Sequence, residues 1–246
     1  MHLAKRGLRV LGIAESYAGR EHSRLAGVVM RRDLRIDGVA VTGITVGGSD
    51  ATDGVFRLIH HLGRQDINAI MLSGCVIAWF NIIDPAKVYE RSGCPLVVVT
   101  YEASSGLEED IRHHFPDDLA RLTAYRNLGS RTRVTLATGY EVFLRVWGCS
   151  EQEGTELVNY FTKDGRIPEP LRIARLIARA WMEDSPRRSR YYGGNSENSG
   201  DPCCYQLDSD GSEEHAQHPG HDPDHHISTE LLDERRIPKG QPGSNE

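Results

Sequence analysis

A change of hydrophobic period at residues 47–50 constrains the fold of this chain more than any other feature. Before it, residues 8–46 contain three runs rich in Val and Ile, "LRVLGIAE", "RLAGVVMRR" and "IDGVAVTGITV", joined by short polar or charged connections. β-Branched runs at this spacing read as an antiparallel meander. After "VGGSD" the period becomes helical. Val55, Leu58, Ile59 and Leu62 recur at three- and four-residue intervals, and Gly63 stands where a helix would stop.

From there strands and helices alternate. "INAIMLSG" and "PLVVVTY" read as buried strands on either side of the helix "DPAKVYERSG". That helix has Asp84 at the cap, Pro85 in its first turn and Gly93 beyond its end. Helices are expected over 106–114 and 117–126, then the strands "RVTLAT" and "EVFLRVWG", then the helices "SEQEGTELVNYF" and "EPLRIARLIARAW". Three meander strands followed by β-α-β units give an α/β protein, a mixed sheet with flanking helices. This order is the ribonuclease-H-like arrangement. Its nuclease sites form where the first strand and a neighbouring parallel strand end side by side.

Composition sets the limits of this reading. The sequence has 246 residues, of which 26% are charged and 39% hydrophobic, and no window approaches the roughly 20 apolar residues that cross a bilayer. The basic start "MHLAKRG" precedes an apolar run that Glu15 interrupts, so it reads as a strand and the protein is expected to be cytoplasmic, with no membrane partner. Cys75, Cys94, Cys149, Cys203 and Cys204 form no CxxC pair, which gives no support to a structural zinc site or a disulfide framework. The charge divides sharply. Residues 184–246 carry a net −7 and residues 1–183 a net +1. The tail is also rich in Gly, Ser, Asp and Pro and poor in aliphatic residues, so a folded domain is expected over 1–183 and a largely disordered, His-rich tail over 184–246. A short helical turn around "STELLDERR", and loose metal binding by His215, His218, His221, His225 and His226, are expectations for that tail.

Several residues of the body carry candidate chemistry, each with a structural reading beside it. Glu15 ends the first strand, where it is either a metal ligand or a solvated junction residue. Asp50 and Asp53 flank Thr52 at a helix start, and capping suits one of them. Asp84 precedes Pro85, and a cap alone explains it. In "WFN", Trp79 and Phe80 are either core or a stacking wall for an extruded base. Asn81 either satisfies a turn or meets a phosphate or base edge. Gly47 and Gly48 form a backbone that a phosphate could approach, without the lysine of a P-loop. Arg31, Arg32 and Arg35 cluster in a hairpin connection, as a DNA contact or a solvated turn.

Six segments, "LRVLGIAES", "AGVVMRRDLRIDGV", "TVGGSDATDGV", "AWFNIID", "GCPLVVVTYE" and "PEPLRIARLIARA", occur in the order and spacing of one archaeal family. Over residues 5–181 the chain resembles the endonuclease dU family, a relative of endonuclease V. That resemblance implies a ribonuclease-H-like core and Mg²⁺- or Mn²⁺-dependent hydrolysis of DNA beside a deaminated base, deoxyuridine in particular. It implies Glu15 and Asp50 as catalytic residues, Glu15, Asp50 and Asp84 as metal ligands, and Gly48, Trp79, Phe80 and Asn81 at the substrate. Hard cations prefer several converging carboxylates. Where the resemblance implies acidic residues, however, this chain has Ala14, Gly47 and Ser73. Two functions follow as expectations. One is a metal-dependent endonuclease acting on deaminated DNA in repair. The other is a catalytically impaired relative that binds nucleic acid or a protein.

Overall fold

The computed structural model describes residues 7–17, 21–104 and 106–183. The tail and its expected features lie outside the described residues. The meander forms as the Val/Ile runs predict, with β1 (Arg9–Tyr17), β2 (His22–Arg31) and β3 (Ile36–Thr45) pairing antiparallel in sequence order. The chain then crosses through α1 (Ala51–Leu62) to β4 (Ala69–Ser73), which lies parallel to β1. A short hairpin, β5 (Val76–Ile77) and β6 (Asn81–Ile82), precedes α2 (Pro85–Ser92) and β7 (Leu96–Thr100), the latter parallel to β4. Next come α3 (Glu108–His114), α4 (Leu119–Arg126), the antiparallel β8 (Thr132–Thr135) and β9 (Glu141–Trp147), α5 (Glu151–Phe161) and α6 (Glu169–Glu183).

The result is one seven-stranded mixed sheet in the order β3-β2-β1-β4-β7-β9-β8. Strand alternation separates two cores. On one face Leu11, Ile13, Ile70, Leu72, Leu96 and Val98 pack with Val55 and Leu58 of α1 and Val88 of α2. On the other, Val10, Met71, Val97 and Val99 pack with Leu157, Val158 and Phe161 of α5 and Leu171 of α6. Because the central strands are covered on both faces, they read as continuous apolar runs. The start of α6 lies directly on β1. A Cβ at Gly12 would come within 2.5 Å of the Pro170 backbone, so glycine is what permits this approach.

Helix ends follow the sequence signals at most positions. Gly63 and Gly93 adopt the left-handed conformation after α1 and α2. Asp84 caps α2 through the Lys87 N–H at 3.1 Å, and Ser150 and Glu153 form a capping box on α5. The hairpin around residues 76–82 is the one element the period analysis does not predict, since two-residue strands carry no measurable period. No helix among the described residues is long and apolar enough to cross a membrane. Arg31, Arg32 and Arg35 lie in the β2–β3 turn. Antiparallel pairing places that turn at the amino end of β1, opposite the strand end that carries Glu15. Arg31 and Arg35 both pair there with Asp33.

Candidate functional site

The carboxyl ends of β1, β4 and β7 lie side by side, and each sends alternate side chains to opposite faces of the sheet. On β1, Ile13 and Glu15 face α1, whereas Ala14 faces α6 and packs on Ala174. Glu15 is therefore not a ligand displaced by one position from Ala14. A one-residue offset in a strand moves a side chain to the other side of the sheet.

Glu15 is buried, with 8% of its surface exposed, and its Oε1 is hydrogen-bonded to the Ser23 hydroxyl of β2 at 2.5 Å. Burial pushes its pKa up to about 7, and neither the Ser23 hydrogen bond nor the more distant Arg175 charge offsets that. The hydrogen-bond inventory agrees with a neutral carboxyl. Ser23 has a single hydroxyl proton and also lies 3.1 Å from the Ser16 carbonyl. With Glu15 protonated, the carboxyl can donate to Ser23 while Ser23 donates to Ser16, so both protons find an acceptor.

Asp50 occupies the N-cap position of α1 but makes no capping bond there. Its carboxylate turns back to accept from the Thr45 N–H at 3.1 Å and from Asn81 Nδ2 at 2.7 Å. The cap of α1 comes instead from Asn81, thirty residues away, whose Oδ1 accepts from the Ala51 N–H at 2.9 Å. Asn81 Nδ2 also donates to the Thr45 carbonyl at 2.9 Å, and the residue has no exposed surface. This corrects the expectation that Asn81 meets substrate, because its amide is fully consumed in joining β3, α1 and β6. Asp53 is exposed in the first turn of α1.

Between β5 and β6, Ala78, Trp79 and Phe80 all have positive φ, at 41°, 59° and 59°. Such backbone costs about 1–2 kcal/mol per non-glycine residue and persists only where its surroundings enforce it. Arg121 of α4 is one enforcer. Its guanidinium donates to the carbonyls of Phe80, Gly48 (2.9 Å) and Gly47 (2.9 Å), pairs with Asp118 (3.0 Å) and stacks 4.0 Å over the Phe115 ring. The Gly47 N–H in turn donates to the Ala78 carbonyl at 2.7 Å. Phe80 is 5% exposed and packs on Ile111 and Leu122, which removes it from any base-stacking wall. The Gly48 carbonyl is likewise already taken by Arg121. Trp79 remains 38% exposed, with its ring 4.8 Å from that of His114. No sequence pattern marks Arg121.

The carboxylates expected to hold a metal do not assemble. Asp84 is engaged in its helix cap and pairs with Lys87 at 3.2 Å, and Asp50 is held among Thr45 and Asn81. Among the described residues no three His, Cys, Asp or Glu side chains come together as a group able to hold a metal ion. A hard divalent cation needs several hard oxygen donors, and Glu15 alone, protonated up to near-neutral pH, does not supply them. The set Glu15, Asp50 and Asp84 therefore does not fit Mg²⁺ or Mn²⁺.

The other face of the same strand ends is cationic. Ser73 ends β4 on the α6 side, and Arg175 of α6 reaches its hydroxyl at 3.4 Å. Tyr101 follows β7 on the same side. Its hydroxyl, beside Ser73, is shut off from solvent without a hydrogen-bond partner of acceptable geometry, and burial pushes its pKa up to about 12. Arg166, from the α5–α6 connection, donates to the Tyr101 carbonyl at 3.0 Å and pairs with Glu102 at 2.7 Å. These residues are separated by up to about a hundred positions, and no local pattern groups them.

Comparison with known proteins agrees with this architecture. The UPF0215 protein of Pyrobaculum calidifontis is 38% identical over 182 residues, which cover 73% of this chain and all of that protein. A structure of a protein of unknown function from Archaeoglobus fulgidus is 27% identical and superposes with a TM-score of 0.62, covering 71% of this chain and 98% of that one. Ciona intestinalis endonuclease V, solved in complex with a 24mer DNA containing an inosine followed by a ribo-adenosine, superposes with a TM-score of 0.52 at 16% identity. The match covers 74% of this chain and 88% of that one, so the ribonuclease-H-like fold is shared. The sequence profile described as Endonuclease dU matches residues 6–182, the whole described body, and the chain belongs to that family.

Proposed function

We propose that this protein is a nucleic-acid-binding member of the Endonuclease dU family, one that recognises deaminated DNA without cutting it through a carboxylate-held metal. The observation that carries this reading is the alternation at the end of β1. Ala14 occupies the α6 face beside Ser73, and the only nearby acid of β1, Glu15, points to the opposite face. Two-metal or one-metal phosphodiester hydrolysis relies on carboxylates around the ion to fix its geometry, and that face lacks them on β1 and β4. Binding is a separate property. Exposed Trp79, set on a rigid left-handed turn beside His114, supplies a ring on which an unstacked base can lie.

A second reading is deoxyuridine-directed cleavage dependent on Mg²⁺ or Mn²⁺. It is favoured by the family's name and by Glu15, whose pKa near 7 suits a group that exchanges a proton at neutral pH. One experiment separates the two. End-labelled duplexes carrying a single deoxyuridine, a single deoxyinosine or neither are incubated with the full chain in EDTA, Mg²⁺ or Mn²⁺, and binding and nicking are read in parallel. The expected result is a mobility shift favouring the deaminated duplexes, with no nicking in any metal. Metal-dependent nicking that disappears in Glu15→Gln overturns the non-cutting reading and establishes the second. Absence of any shift refutes binding.

A further inference from the structure

The α6 face of the strand ends presents a cation and an orphaned donor where the resemblance implies ligands for a metal. Arg175 has one hydrogen-bond acceptor among the described residues, Ser73 Oγ at 3.4 Å, and no carboxylate within ion-pair distance. A guanidinium has five N–H donors, so most of its capacity is unused. Tyr101 brings a buried hydroxyl with no partner to the same place. A buried unsatisfied donor costs about 1–3 kcal/mol, so an orphan of this kind calls for a missing acceptor. A water would satisfy the hydroxyl, but it would leave the arginine charge unanswered.

The charges at these strand ends do not balance. β1 contributes Ala14 there, and β4 contributes Ser73. The segment after β7 contributes Tyr101 and Glu102, and the connection before α6 contributes Arg166, which Glu102 pairs. Glu15 lies on the opposite face of the sheet. Among the described residues Arg175 makes no ion pair, its charge reaching Glu15 and Tyr101 only at longer range, and a divalent cation placed beside it would be repelled. An oxyanion reverses that sign. Its oxygens accept two N–H bonds from the planar arginine fork together with O–H bonds from tyrosine and serine.

We propose that Ser73, Tyr101, Arg166 and Arg175, grouped beside the carboxyl ends of β4 and β7, form a metal-independent phosphate-binding site. Arg175 supplies the charge and the fork. Tyr101 and Ser73 supply hydroxyl donors, and Arg166, held by Glu102 and the Tyr101 carbonyl, braces the tyrosine. For a phosphate within nucleic acid the inference rests on the function proposed above. The same chemistry also accommodates a free phosphate compound.

Binding of a fluorescent single-deoxyuridine duplex is measured in EDTA across a salt series, alongside thermal shift with inorganic phosphate. The proteins are the full chain, Arg175→Gln, Arg175→Lys, Tyr101→Phe, and Arg91→Gln, from the last turn of α2, as control. Expected are about tenfold weaker DNA binding for Arg175→Gln and a salt slope reduced by about one, with the control unchanged. Arg175→Lys, which keeps the charge and loses the fork, falls between, and it provides the test if Arg175→Gln does not fold. Tyr101→Phe loses phosphate-induced stabilisation with little change in stability of its own, since its hydroxyl, though beside Ser73, makes no hydrogen bond of acceptable geometry. Undiminished DNA binding by folded Arg175 variants overturns this inference and leaves the proposed function standing. No DNA binding by the parent, with phosphate stabilisation that Arg175→Gln abolishes, upholds the site and refutes the proposed function. Binding that requires Mg²⁺ and vanishes in EDTA overturns the metal-independent site.

Discussion

Asn81→Ala tests whether this amide serves the fold or the substrate. The substitution removes three contacts at once, to the Ala51 N–H at 2.9 Å, the Thr45 carbonyl at 2.9 Å and Asp50 Oδ1 at 2.7 Å. Ala51 is fully buried, so its orphaned N–H costs about 1–3 kcal/mol. The Asp50 side chain is 35% exposed, so water recovers much of its lost bond and the residual cost is about 1 kcal/mol. The small void left by the amide adds roughly another 1 kcal/mol. The expected loss is therefore about 3–5 kcal/mol, or roughly 6–20 °C in Tm for a folded body of this size. Urea denaturation of the full chain followed by tryptophan fluorescence measures it, with an unchanged m-value as the check on two-state behaviour. Asn81→Asp keeps the acceptor for Ala51 but turns an oxygen towards Asp50 and the Thr45 carbonyl, and a comparable loss is expected. Under either substitution the folded fraction should bind DNA as the parent does. A stability change below about 1 kcal/mol accompanied by loss of DNA binding would refute this reasoning and return Asn81 to the substrate.

Two further outcomes follow from the buried groups. In the folded protein burial raises the Glu15 pKa from its ordinary 4.5 to about 7. The native state therefore holds the proton more tightly than the unfolded chain, and the Glu15 contribution is fully present below the unfolded value and is lost as pH rises through 7. Denaturation of the parent and Glu15→Gln at pH 5 and pH 8 should show the parent losing about 3 kcal/mol more than the variant; equal slopes would refute a neutral native Glu15. In Arg121→Lys, a single ammonium cannot reach the Gly47, Gly48 and Phe80 carbonyls together with Asp118. A loss of about 2–4 kcal/mol is expected by urea denaturation, and faster amide exchange around residues 78–80 should accompany it; retention of both would mean that the left-handed turn is held elsewhere.

The order of the elements was legible in the chain because it depends on local periods. The Val/Ile runs of 8–46, the helical spacing from Val55 to Leu62, and the caps at Asp84, Gly63 and Gly93 all act over a few residues, and all appear where their chemistry places them. Family membership was legible for a related reason, since six short segments in register survive without any knowledge of their contacts. The candidate site was not legible to the same degree. Glu15 could be found as an acid at a strand end. Its neutrality depends on burial and on Ser23 across a strand pair. The caps of α1 show the same limit, because Asp50 has the right type and place yet Asn81 performs the task from thirty residues away.

The amino-acid sequence by itself determined which residues form strands and helices and which positions lack the implied carboxylates, because side-chain type and spacing act locally. Tertiary structure alone decided what those positions became. It turned Glu15 and Ala14 to opposite faces, closed Asn81 and Phe80 into the interior, and brought Arg175 to Ser73 and Arg166 to Tyr101 beside the same strand ends. The physical reason is that desolvation and pairing depend on every group that packs around an atom, and at this site those groups come from strands and helices distant in the chain.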